Sequence, residues 1–183
     1  MDIVAHTLWV AAGVTALHRR QPLSRGTVIA TLALAAVPDV LHLLPIAGWW
    51  LFANGSFAAL SGYAVALPGQ EPALPPGVQL WSHHLHCVMH GAPVAALVTA
   101  AVWAARRAFW IPLLGWWSHI VIDVFTHSAD YYPVPVLYPF TERGFDGIAW
   151  NTPWFMVLNY ALLAATGLWL WRTRRGPLQG RSS

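Results

Sequence analysis

The sequence predicts an all-α protein, a polytopic transmembrane bundle of about five helices that forms one integral membrane domain over residues 1–183. Three observations predict it. First, 57% of the residues are apolar and only 9% are charged, well outside the range of soluble domains. Second, five stretches are long and apolar enough to cross a bilayer or nearly so. Third, none of them alternates as a barrel strand does, and a backbone in hydrocarbon must satisfy its own polar groups, which leaves helices.

The first helix is expected near 3–18. It carries Asp2 ahead of the apolar run and Arg19, Arg20 and Arg25 behind it, the reverse of the charge order of a signal peptide, and is therefore read as a mature helix. Further helices are expected near 27–47, 84–105, 108–128 and 153–171, with connections 48–82 and 129–152 between them. The chain has ten arginines and no lysine. Nine of these arginines flank apolar segments: Arg19, Arg20 and Arg25, then Arg106 and Arg107, then Arg172, Arg174, Arg175 and Arg181. The positive-inside rule puts them on the cytoplasmic side, which five alternating crossings satisfy. Connections 48–82 and 129–152 then face outward and hold Glu71, Asp130, Glu142 and Asp146 with Arg143 as their one cation. This placement of the basic residues explains the net charge of +3 by topology, and no nucleic-acid partner is expected. Tryptophans fit the same frame, with Trp49, Trp50, Trp81, Trp150 and Trp154 near the outer boundary and Trp103, Trp110, Trp169 and Trp171 near the inner one. The expected location is the inner (plasma) membrane of a bacterium, with membrane lipids as surroundings.

Ionisable groups at membrane depth are costly, and here they gather on one side. His6 begins the first helix, Asp39 and His42 end the second, His83, His84, His86 and His90 open the third, and His119, Asp123 and His127 occupy the outer half of the fourth. Residues four apart in a helix differ by only about 40° in direction, so His119, Asp123 and His127 form one stripe. The same count puts His83, His86 and His90 on one face, with His84 turned aside. A lone transmembrane histidine usually bonds a neighbouring helix, and a lone aspartate pairs with a cation. For the whole set that explanation weakens, because Arg143 is the only outward cation available to Asp39 and Asp123. Imidazoles and carboxylates from facing helices suit a divalent metal, zinc first, with manganese or iron as alternatives. The single cysteine, Cys87, offers neither a disulfide nor a thiolate cluster.

These pieces resemble the YdjM-like (DUF457) membrane-bound metal-dependent hydrolases. MDIVAHTLW is similar to that family's opening at His6, AAVPDVLHL to its Pro-Asp motif at Asp39, and WSHHLHC to its Thr/Ser-His-Ser-Leu motif at His83. GWWSHIVIDVFTHSADYYPVPVLYPFTERGFDGIAW is similar to its His-x-x-x-Asp helix and the Pro-rich loop that follows. The resemblance implies a membrane-bound hydrolase with metal ligands at His6, Asp39, His83, His119 and Asp123; His127 matches the subgroup with Thr-His-Ser after the aspartate. The order of these residues also resembles the helical zinc phospholipase C and P1 nuclease superfamily, which implies phosphoester substrates. No further His-x-x-x-Glu pair is present, so one or two metals are expected rather than three.

The mechanism expected from this set is metal-activated water, with the metal held by His83, His119 and Asp123. Asp39 is expected either to bridge a second ion or to act as general base. Arg143 is a candidate to hold a phosphate through a bidentate fork, or else to pair with Glu142, Asp146 or lipid headgroups. The segment 131–150 is too apolar for a free loop and is expected to fold over the site. A small amphiphilic or phosphoester substrate follows. A transporter would line a path through both halves of the membrane, whereas the inner halves here are nearly purely apolar. A non-catalytic metal-binding scaffold would keep the ligands without an open position.

Overall fold

The computed structural model describes residues 1–173, and among them it is all-helical, with eight helices and no strand. Arg174, Arg175 and Arg181 lie outside the described residues. In chain order the helices are α1 (Ile3–Arg20), α2 (Arg25–Leu41), α3 (Leu44–Phe52), α4 (Phe57–Ala64), α5 (Pro76–His90), α6 (Ala92–Arg106), α7 (Leu113–Thr126) and α8 (Pro153–Arg172).

Local chemistry accounts for their ends. The Asp2 carboxylate accepts the Ala5 amide at 2.9 Å, and the Ser24 hydroxyl accepts that of Thr27 at 3.1 Å, each capping orphan donors of a first turn. His18, Arg19 and Arg20 fill the last turn of α1, where cations oppose the negative end of the helix dipole. Arg19 also bonds the Leu170 carbonyl and, at 2.7 Å, the Thr173 hydroxyl, which ties α1 to the end of α8.

Two of the expected helices are bent. The segment 27–47 turns by 64° between α2 and α3, and 84–105 turns by 63° between α5 and α6. The second bend has a clear cause in His90-Gly91-Ala92-Pro93. Gly91 is extended (φ −80, ψ 115), and Pro93 has no N–H to return to the Met89 carbonyl. That carbonyl accepts the Trp116 indole N–H from α7 at 2.6 Å instead. The connection 48–82 contains α3's end, all of α4 and the start of α5 rather than irregular chain alone.

By length and composition, α8 is the one helix among the described residues able to cross a membrane by itself, and counting each bent pair as one span raises the number to three. α7 has 14 residues and rises only about 21 Å, short of a hydrocarbon core of about 30 Å. The exterior is strongly apolar, with Leu97, Val157, Leu162 and Trp169 exposed.

The core forms where α7 packs on α2, with Trp116, Ile120, Leu113 and Ala95 on one side and Val10, Val14 and Ala35 on the other. Gly115 permits this approach, because a Cβ there would collide with the Thr31 backbone carbonyl. Beyond α7, residues 127–152 run as an irregular strap with a turn over 136–140. Gly147, Ile148 and Trp150 donate to the carbonyls of His127, Phe125 and Thr126 at 2.8, 3.0 and 2.9 Å, satisfying the end of α7. A Cβ at Gly147 would lie 2.5 Å from the Phe125 oxygen, so only glycine lets the strap close on the helix.

Candidate metal centre

Four side chains from three helices converge beneath the strap. Asp39 comes from the end of α2, His90 from the last residue of α5, and His119 and Asp123 from successive turns of α7. One ligand atom from each lies within 4.8 Å of all the others, a group that could hold a metal ion. His90, His119 and Asp123 are at most 1% exposed, and Asp39 is 17% exposed.

The hydrogen bonds fix what each ring presents. His119 Nδ1 lies 2.8 Å from the Ala35 carbonyl, and His90 Nδ1 lies 2.8 Å from that of His86. A carbonyl can only accept, so each Nδ1 carries the proton and each neutral ring keeps its lone pair on Nε2. Those two Nε2 atoms face one another at 3.0 Å. Around them stand Asp123 Oδ2, at 3.0 and 3.3 Å from His119 and His90, and Asp39 Oδ1, at 3.6 and 3.7 Å. Asp123 Oδ2 and Asp39 Oδ2 are buried without a hydrogen-bond partner. Lone pairs and carboxylates pressed together in a dry interior repel unless a cation joins them. One shared proton would neutralise one carboxylate; a divalent ion matches two carboxylates and two imidazoles.

The remaining expected residues fall at different distances from this centre. His6 is fully buried, but its Nε2 bonds Asp123 Oδ1 at 2.8 Å, and its ring stacks on His119 at 3.9 Å between centroids. His6 is thus a hydrogen-bond partner of Asp123 and is not among the four converging residues, and the Met1 amino group contacts the same oxygen. His127, the residue after α7, donates from Nδ1 to the Asp123 carbonyl at 3.0 Å and lies 3.6 Å from Asp123 Oδ1. His83 is outside the centre: it is 56% exposed, 3.8 Å from Glu142 and 3.5 Å from the Cys87 sulfur. His90 occupies the place expected for it. Seven residues separate them, about 10 Å along a helix, and only the deeper one reaches the level of His119. Arg143 is exposed on the strap and does not line the cavity described next.

The centre opens on a cavity of about 850 Å³, reached by Asp39 and His90 and further lined by His42, His86, His127 and Glu71. A row of imidazoles runs from its wall into the centre, with centroid separations of 5.6 Å from His42 to His86, 4.1 Å from His86 to His90 and 4.9 Å from His90 to His119. His42 Nδ1 is buried without a partner. A second cavity, of about 200 Å³ between α1, α2 and α7, is walled by apolar residues with Thr31 and Ser118 and, among the described residues, by no titratable group.

On the far side of the chemistry, the Tyr132 hydroxyl donates to Glu71 at 2.6 Å. That bond holds the Glu71 carboxyl below the ordinary carboxylate range, while burial and the same bond push the Tyr132 phenol above its own. Tyr132 adopts a left-handed backbone (φ 47), a conformation that costs a side-chain-bearing residue about 1–2 kcal/mol. When the chain is compared with known protein families, curated proteins and solved structures, none of the three yields a match.

Proposed function

We propose that the chain is a membrane-embedded, metal-dependent hydrolase of the YdjM-like kind, spanning the bilayer five times. It acts at the non-cytoplasmic face on a phosphoester or lipid-like substrate. The observation that carries this reading is the pair of Nε2 atoms facing at 3.0 Å between two carboxylates, with both Nδ1 protons tied to carbonyls. Zinc is the favoured ion, because a nitrogen and oxygen donor set without thiolate fits a catalytic zinc site, and manganese or iron would fit the same donors. Asp39, His90, His119 and Asp123 would hold it, with His6 fixing the Asp123 carboxylate.

When bound, such an ion supplies Lewis acidity and lowers the pKa of water toward about 7. The residues of the chain do the remainder. Asp39 borders the cavity and keeps Oδ2 free of any hydrogen bond, so it can orient the attacking water and accept its proton. The α2–α7 packing and the strap exclude bulk solvent from Asp123 and His119, which strengthens each interaction there. His127 Nδ1 is occupied by a carbonyl, which holds its ring against the same aspartate at the cavity wall.

Metal analysis of purified protein should find about one divalent ion per chain, lost in His119→Ala and Asp123→Ala, alongside hydrolysis of phosphodiester or lipid ester probes that disappears in the same variants. Unchanged metal content in both variants would overturn the site. Metal without turnover on every probe would favour a binding scaffold.

A further inference from the structure

The same cavity has a second chemical end. Four aromatic side chains line it, Tyr63 from α4, Tyr131 and Tyr132 from the strap, and Trp150 just before α8. The Tyr131 ring lies 5.3 Å from that of Tyr132 at 72° and 6.0 Å from that of Trp150 at 81°. Near-perpendicular planes turn π faces in several directions, as the walls of an aromatic cage do. Glu71 stands among them, held by the Tyr132 hydroxyl at 2.6 Å, and Asp2 also lines the space. Among the described residues, no arginine or lysine borders the cavity.

This distribution discriminates between headgroups. Among the described residues, an anionic group meets positive charge only at the Asp39–His90–His119–Asp123 centre and the Met1 amino group that contacts Asp123 beside it. A cationic group meets ring faces and the Glu71 carboxylate at the other end. Apolar side chains of Ile3, Val4, Leu43, Val65 and Leu74 complete the wall, and a volume of about 850 Å³ is that of a site for a headgroup with part of its tail.

Resting on the hydrolase reading, we propose that the substrate is a zwitterionic amphiphile. Its phosphoester faces the four-residue centre, and its ammonium group is held by Glu71, Tyr63, Tyr131, Tyr132 and Trp150. The left-handed backbone of Tyr132 sets the phenol against Glu71, so the recognition end is preformed.

The test measures binding of two amphiphiles of equal chain length, hexadecylphosphocholine and hexadecyl phosphate, to the full chain in a neutral maltoside detergent. The phosphocholine is expected to bind about tenfold or more tighter. Glu71→Gln and Trp150→Leu should each erase most of that preference while zinc content stays as in the parent. Equal or tighter binding of the alkyl phosphate, or variants that weaken both amphiphiles alike, would overturn the proposal. A chain that shows the ammonium preference but neither zinc nor turnover would sink the hydrolase reading while upholding the headgroup assignment.

Discussion

At the scale of single residues, the centre depends on which histidine of α5 reaches it. His90→Ala should abolish metal binding, whereas His83→Ala should leave metal content unchanged, because His83 sits exposed beside Glu142; metal analysis of the two variants decides between them. His6→Ala removes an orienting contact rather than a ligand, so metal affinity should fall by about 10–100-fold without vanishing. Glu71 gives a pH signature. Its carboxyl is held below the ordinary carboxylate range by Tyr132, so its charge is present above that range and is lost only as pH falls through the lowered value. The preference for an ammonium headgroup should therefore persist from neutrality down through the ordinary glutamate range, about pH 4, and disappear in stronger acid. Glu71→Gln should remove this dependence, which a binding titration across pH will show. His119 and Asp123 were legible in the sequence as a turn-spaced pair in an apolar run. His83, His86 and His90 were legible only as equivalents, since they share one helical face.

At the scale of elements, the bends and the close approach of α2 to α7 govern where those side chains end. Gly115→Ala would place a methyl group against the Thr31 carbonyl and separate the two helices. It should destabilise the protein by about 1–3 kcal/mol and weaken metal binding with it, both readable from unfolding in detergent and from metal retention. Trp116→Phe keeps the packing of the ring but strands the Met89 carbonyl that Pro93 leaves without an amide. A loss of about 1–3 kcal/mol is expected. The sequence reading expected one helix over 84–105, although Gly91 and Pro93 stand within it. Apolar residues flank Gly91–Pro93 on both sides, but backbone hydrogen bonding is interrupted there, and the break is governed by that interruption. The apolar character of 131–150 predicts a segment that folds back rather than a free loop. It does not predict the pairing to the end of α7, because the glycine that permits it looks like any other loop glycine.

At the scale of the whole molecule, the basic residues and tryptophan belts argue for five crossings, while length and composition qualify one helix, or up to three spans. A cysteine placed at Glu71 and probed from outside intact cells should be labelled; protection there would reverse the proposed orientation. Composition and hydrophobic runs suffice for the all-helical class, because a backbone in an apolar medium has few ways to satisfy itself. Turn spacing likewise suffices to pair His119 with Asp123. The choice of His90 over His83, the withdrawal of Arg143 from the site and the conversion of His6 into a partner of Asp123 depend on depth along helices and on their bends. Periodicity reports the direction in which a side chain leaves its helix. It is silent on how far along the axis a facing helix will meet it, and that distance was set by Gly91, Pro93 and the packing of α7 on α2.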